Sequence, residues 1–212
     1  MIDVHKTYTS NGSGDLKVIK YESSKKVTVR FIDTGYETIV EAGDIIKGGI
    51  KDKLKPSVYG IGYIGGGKYK TRNNGKKNKS YTAWINMIAR CYNPGNHLIM
   101  PTYKECSVAD EWLNFQNFAK WFDVNYICGF DLDKDILVDG NKVYSPDTCL
   151  FVSTKSNSIK ASAKSYSFIN PAGFTVNIYN LSEFCISNNL TNSSMSEVHS
   201  GRRKHHKKWI KA

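Results

Sequence analysis

Apolar and polar residues alternate along much of residues 15–69. Leu16-Lys-Val-Ile-Lys-Tyr21, Lys26-Val-Thr-Val-Arg-Phe-Ile32 and Tyr36-Glu-Thr-Ile-Val40 carry the two-residue period and β-branched content of half-buried strands, parted by turn signals at Ser23-Ser24 and Asp33-Thr-Gly35. Asp44-Ile-Ile-Lys-Gly-Gly49 reads as a further short extended piece, so this part predicts a small bent sheet or SH3-like barrel. Tyr59-Gly-Ile-Gly-Tyr-Ile-Gly-Gly-Gly67 reads as a flexible exit from it.

From Ser80 the period becomes helical. Ser80 is placed to cap a helix in which Trp84, Met87, Ile88 and Cys91 recur at three- and four-residue steps, and Asn93-Pro94-Gly95 stops it. After a loop holding His97, a second helix is expected over residues 108–122. Trp112, Phe115, Phe118 and Phe122 form its core face, with Asp110 and Glu111 in its first turn. Residues 131–157 read as strand, turn at Gly140-Asn141, strand, and the start of a helix. The last fifty residues or so predict a hairpin around Asn170-Pro-Ala-Gly173, then two short helices across Leu190-Thr-Asn192, a helix-turn-helix. The first carries Leu181, Phe184 and Cys185 or Ile186 on one side; the second is capped by Ser193 or Ser194 and closed by Gly201. The fold class is α+β: a small β module at 1–65, a basic linker at 66–80, a central ββα core with two aromatic-rich helices at 81–163, and a helix-turn-helix module at 164–212.

Charge sharpens this picture. The chain has a net charge of +11, and residues 66–80 and 201–212 each hold six Lys or Arg and no acid. Outside them eighteen basic residues face nineteen acidic ones, so the excess sits in two short segments, as a polyanionic partner requires. Neither segment is an amphipathic helix with a broad apolar face, which disfavours a membrane surface. No apolar run approaches roughly 18 residues and Met1 is not followed by a signal-peptide core, so a cytoplasmic location is expected, that of the host cell if the protein is phage-encoded. The five widely spaced cysteines fit no common zinc pattern and suit buried, reduced thiols.

Tyr81-x-x-Trp84-x-x-Met87-x-x-Arg90-Cys91-Tyr92, then Tyr103-x-x-Cys106-x-Val108-x-x-x-Trp112-x-x-Phe115-x-x-Phe118, then Leu132-Asp133-Lys134 leading to Tyr144-Ser-Pro-Asp-Thr-Cys149 resemble phage and intron endonucleases of the HNH, or ββα-metal, type. The abutting Gly60-Ile-Gly62 and Tyr63-Ile-Gly65 do not match the GIY-YIG nucleases, which separate their tripeptides. The HNH resemblance implies double-stranded DNA as partner and cleavage with Mg²⁺ or Mn²⁺. It makes Asp133 a metal ligand and Asn157, nine residues after Thr148, the downstream ligand. Lys134 stands where the family has its catalytic His, and Thr148 where it has an Asn. Lysine is a poor base at its usual pKa of about 10.4, so Lys134 acts as base, holds a phosphate, or leaves water activation to the metal. A catalytically degenerate scaffold that binds nucleic acid, or a factor that binds a host protein or ribosome, are the other outcomes.

The C-terminus resembles the modular DNA-binding repeat of homing endonucleases, in which a hairpin and two helices precede a glycine and a basic HHKGW-like ending. Here the ending is Lys204-His-His-Lys-Lys-Trp209, with Lys208 in place of glycine. The resemblance implies that the second helix lies against a DNA groove while the basic tail grips phosphates; from the residues alone, Ser194, Ser196, Glu197 and His199 are the candidates to face base edges. Arg202, Arg203, Lys204, His205, His206, Lys207 and Lys208 would hold phosphates. Lys70, Arg72, Lys76, Lys77 and Lys79 form a second phosphate-tracking arm.

Overall fold

The computed structural model describes residues 2–153 and 164–212. The chain is mixed α+β and divides into two compact units, Met1–Ile127 with Leu132–Phe151, and Cys128–Asp131 with Val152–Ala212.

The first unit begins with an antiparallel meander of β1 (Thr7–Ser10), β2 (Gly14–Ser23), β3 (Lys26–Phe31) and β4 (Glu37–Val40). The alternation seen in the sequence sets its register. Leu16 faces Phe31 and Val18 faces Val29, and these side chains bury together with Val27 against Ile45 and Ile50. Register shifts after Val18 and Tyr21 bend the long β2. Asp44-Ile-Ile-Lys is not extended; it lies in the helix α1 (Ala42–Lys47). Gly48 (φ 64°) ends it in the left-handed region, its N–H bonding the Asp44 and Ile45 carbonyls. The helical step of about 100° per residue turns the adjacent isoleucines to different faces, burying Ile45 and leaving Ile46 at 67% exposure.

The glycine-rich stretch is bound in place rather than flexible. Tyr63 donates its N–H to the Leu113 carbonyl and accepts from Phe115 N–H, both at 2.9 Å. The helix expected over 108–122 is therefore broken at Asn114, where this strap inserts. It becomes α4 (Asp110–Leu113) and α5 (Phe115–Asn125), with Asn114 extended and capping Gln116 N–H. A Cβ at Gly62 would meet the Trp84 ring at 3.0 Å, and one at Gly65 or Gly67 would overlap the Asn114 or Gln116 side chain. These glycines serve close approach, not mobility.

Residues 66–80 are likewise no open linker. Strands β5 (Arg72–Asn73) and β6 (Lys76–Lys77) form a hairpin. Its Asn74-Gly75 turn has φ of 47° and 75°, the signature of the two-residue type I′ turn. The Gln116 carboxamide anchors its approach, accepting from Tyr69 N–H at 2.9 Å and donating to the Tyr69 and Ile64 carbonyls at 3.0 and 3.2 Å.

Helix α2 (Lys79–Tyr92) starts two residues earlier than expected, placing Ser80 inside it. Asn78 precedes it without a side-chain cap; its Nδ2 donates to the Lys70 carbonyl instead. Trp84, Met87, Ile88 and Cys91 bury against Phe115, Phe118, Ala119 and Phe122 of α5, and the Trp84 indole N–H reaches the Trp112 carbonyl at 2.7 Å. Each fully buried ring contributes roughly 2–3 kcal/mol of apolar transfer energy. Asn93 ends α2 and caps a short α3 (Pro94–Ile99), so His97 lies on a helix, its Nε2 3.0 Å from the Arg90 carbonyl. The parallel pair β7 (Ser107–Val108) and β9 (Val143–Tyr144) ties the loop after β8 (Phe130–Asp133) to this core. Strand β10 (Leu150–Ser153) pairs with β8. Cys91, Cys106 and Cys149 are buried and free; desolvation pushes the Cys91 thiol up to about 12 and Cys149 to about 11, so both remain protonated.

The second unit contains the hairpin β11 (Tyr166–Ile169) and β12 (Thr175–Ile178), helices α6 (Leu181–Ser187) and α7 (Asn192–His199), and β13 (Ile210–Lys211). Strand β13 returns to pair with β11, Phe168 opposite Lys211. Phe168, Leu181, Cys185, Met195 and Val198 form the core, and Ile186 is left 82% exposed, which settles the face of α6 in favour of Cys185. Asn180 caps α6 through Glu183 N–H. Thr191, not Ser193 or Ser194, precedes α7, and it makes no side-chain cap. Gly201 (φ 79°) closes α7. Among the described residues, no helix is long and apolar enough to cross a membrane.

Candidate nucleic-acid interface

The loop after β8 holds the acidic and amide residues that suggest a metal site, and each has a defined structural task. Asp133 Oδ1 accepts the N–H groups of Asp135 and Ile136, both at 2.8 Å, a side-chain-to-backbone turn that reverses the chain. Lys134, 7% exposed, turns inward. Its ammonium donates to Asp135 Oδ1 at 2.5 Å and to the Asn141 carbonyl at 2.8 Å, beneath the Tyr103 and Tyr144 rings at 6.0 and 5.9 Å. Both hydrogen-bond partners are acceptors, so the group sits there as a donor held within its own turn. Asn141 closes the turn by donating to the Lys134 and Val143 carbonyls. Thr148 stays within its own turn, donating to the Val143 carbonyl at 2.8 Å and paired with the Ser145 hydroxyl.

Of the two expected metal ligands, Asn157 lies outside the described residues. Asp133 already gives one oxygen to two amides, and no group of three or more His, Cys, Asp or Glu converges among the described residues. Mg²⁺ and Mn²⁺ take near-octahedral oxygen shells, and the side chains described around Asp133 do not make one.

The C-terminal basic run is a closed loop, not a tail. Lys207 and Lys208 take φ of 46° and 66° and form the centre of a two-residue turn. His206 N–H bonds the Trp209 carbonyl at 3.0 Å, and Trp209 N–H returns to His206 at 2.9 Å. The tight turn associated with glycine at this place thus forms with lysine, at a conformational cost of roughly 1–2 kcal/mol per residue. Trp209 anchors it edge-on against Phe184, 5.2 Å between centroids. His206 Nε2 accepts Thr191 N–H at 3.2 Å, satisfying a donor at the start of α7. Desolvation first, then the charges of Lys207, Arg203 and His205, depress the His206 pKa, which keeps that nitrogen an acceptor. Lys207 Nζ reaches the Asn189 carbonyl at 2.6 Å, Arg203 pairs with Glu197 at 2.8 Å, and Arg202 donates to Ser200 Oγ at 3.2 Å.

The loop therefore gathers Arg202, Arg203, Lys204, His205, Lys207 and Lys208 on one exposed segment. Ser196 of α7 is exposed and Ser194 half-buried. His199 does not face outward as a base reader would. Its ring packs edge-on to Tyr166 at 4.8 Å and Phe168 at 6.1 Å, with Nδ1 buried and unpartnered. Glu197 is occupied by Arg203.

In the first unit the β5–β6 hairpin sets Arg72 opposite Lys77, and Lys70, Arg72, Lys76, Lys77 and Lys79 are all exposed. The Arg72 guanidinium closes the hairpin turn on the Gly75 carbonyl at 2.9 Å, and Lys79 lies over the Tyr126 ring at 5.4 Å. A search for charge runs passes over Lys51, Lys53 and Lys55, because Asp52 interrupts them. Their alternate spacing ahead of Pro56 is the signal that marks them. No family model, curated protein or solved structure matches the chain.

Proposed function

We propose that this protein binds double-stranded DNA through its C-terminal loop and helix α7, and that its 131–149 segment is a structural relic of an HNH-type core rather than a cutting centre. The observation that carries the binding reading is the Lys207-Lys208 turn. Two lysines held at positive φ within a run of like charges oppose both backbone preference and electrostatic repulsion. A polyanion relieves the second and gives the rigid loop its use. Phosphates fit the exposed guanidinium and ammonium groups of Arg202, Arg203, Lys204 and Lys208, and Ser196 on α7 is an exposed polar side chain available to a groove.

Lys134 supports the non-cutting reading. It occupies the family's base position, yet its ammonium is engaged by Asp135 and Asn141. The test is twofold. In fluorescence anisotropy with a 20-base-pair duplex (about two helical turns), Arg202→Gln/Lys204→Gln/Lys208→Gln should bind at least tenfold more weakly than the wild type; equal affinity contradicts the interface. Supercoiled plasmid incubated with Mn²⁺ should stay intact. Nicking that Asp133→Ala abolishes would replace the relic with a metal-dependent nuclease.

A further inference from the structure

The first unit contains a cavity of about 690 Å³ lined by Lys51, Lys53, Lys55, Ser13, Ser57, Thr71 and Tyr81, among others. That is the size of a small-ligand site, which typically spans about 300–1,000 Å³, and its wall sets lysines and hydroxyls beside the apolar side chains of Val58 and Ile64. The three lysines alternate along one segment, and the acid between them, which also lines the cavity, is already hydrogen-bonded within the protein. Asp52 is buried, its carboxylate accepting the Thr34 hydroxyl at 2.6 Å and Leu54 N–H at 2.9 Å. The anion inside the lysine row is thus already satisfied, and the lysine charges remain for a ligand. Lys51 is partly committed, with Nζ 2.9 Å from the Asn11 carbonyl; Lys53 and Lys55 carry the larger share.

Tyr81 is held against the core of the first unit. It stacks on Trp84 at 5.9 Å and meets Phe115 edge-on at 5.2 Å. Burial raises its hydroxyl pKa, against a smaller opposing effect of the Arg72 charge, so the phenol stays a neutral donor. Thr71 and Tyr81 flank the β5–β6 hairpin in sequence. Ammonium groups, hydroxyl donors and a sequestered carboxylate together fit a ligand bearing a compact, multiply charged oxyanion on a polar body.

We propose that this cavity binds the 5′-phosphate and sugar of a nucleotide unit, either as a free nucleotide or as one residue of a nucleic-acid strand. It lies apart from the C-terminal loop in the chain and does not depend on that loop's binding DNA.

The full-length protein and its Lys53→Gln/Lys55→Gln and Lys53→Arg/Lys55→Arg variants are titrated with deoxyadenosine monophosphate by calorimetry, and with a single-stranded 15-mer by anisotropy over a salt series. Binding of the mononucleotide that weakens at least tenfold in the Gln variant and persists in the Arg variant identifies a free-nucleotide site. No mononucleotide binding, with the salt slope for the 15-mer shallower by roughly 1.4 in the Gln variant (about 0.7 per lost phosphate contact), identifies a strand site. Wild-type affinities in the Gln variant for both probes overturn the inference. Should that result come with intact salt-dependent duplex binding, the C-terminal interface still stands. Mononucleotide binding with no duplex binding leaves the cavity and removes that interface.

Discussion

Replacing Lys134 separates a structural lysine from a catalytic one. Its four methylenes are buried, and at about 0.8 kcal/mol each their transfer is worth roughly 3 kcal/mol. Lys134→Ala forfeits most of this and also strips the Asn141 carbonyl of its donor, a loss of about 1–3 kcal/mol. Relief of the ammonium's desolvation offsets part of the loss. The Asp135 carboxylate, 39% exposed, loses the ammonium but keeps its access to water. The net expectation is a destabilisation of about 2–4 kcal/mol for Lys134→Ala. Lys134→Met keeps the stem, loses the two hydrogen bonds and removes the desolvation, so it should fall within about 1.5 kcal/mol of wild type. Urea unfolding followed by tryptophan fluorescence reads this directly, since Trp84, Trp112 and Trp121 all belong to the core of the first unit. The midpoint should fall markedly for Ala and little for Met. A Lys134→Ala midpoint within about 0.5 kcal/mol of wild type, the range of ordinary surface changes, would refute the structural assignment.

Three further outcomes follow from the same geometry. Lys208→Gly relieves a left-handed lysine (φ 66°) against the added entropy of an unfolded glycine. The second unit should melt at the same temperature or up to about 1 kcal/mol more stably, while the salt slope for DNA loses about 0.9; melting below wild type would show that the turn is not strained. Gly65→Ala combines a positive φ of 74° with overlap on Asn114 and should cost about 2–4 kcal/mol in thermal unfolding of the first unit, whereas a neutral effect would mean that the strap does not close on α5. The third concerns pH. The folded-state pKa of His206 lies below its unfolded value, so the unfolded chain takes up the proton first. The stability that neutral His206 contributes is complete above about pH 6.5 and is lost as pH falls from there through the folded pKa. Urea midpoints of the second unit at pH 7.5 and 5.5 should therefore differ more for wild type than for His206→Gln, and equal differences would exclude the bond to Thr191.

Much of this architecture is legible along the chain, because local period and turn chemistry agree with the final packing. Leu16, Val18, Val27 and Val29 alternate as they bury, Phe115, Phe118 and Phe122 repeat at helical spacing, and Gly201 sits where its φ demands. Other features depend on partners distant in sequence. Nothing near Gly62 or Gly65 reveals Trp84 and Asn114, so glycines that permit contact look like glycines that permit motion. The hairpin at 72–77 carries an Asn-Gly turn, but strands of two charged residues show no alternation. Asp44-Ile-Ile-Lys is too short for period to choose between strand and helix, and the left-handed Gly48 decides for helix. Flanked by Asp133 and Asp135, Lys134 looks solvated; only the aromatic pocket of Tyr103 and Tyr144 explains its burial. At the C-terminus the residue types pointed to a basic segment, while its closure rests on the pairing of β13 with β11, forty residues upstream in the chain or so.

The salt dependence of duplex affinity tests the central claim most directly. With four to five phosphates held by the 202–208 loop, log K for a short duplex should fall against log salt concentration with a slope of about −3.6 to −4.5. In Arg202→Gln/Lys204→Gln/Lys208→Gln it should flatten to about −1 to −2. A wild-type slope near zero, or one that the triple substitution leaves unchanged, would contradict the assignment of this loop as the DNA-binding surface.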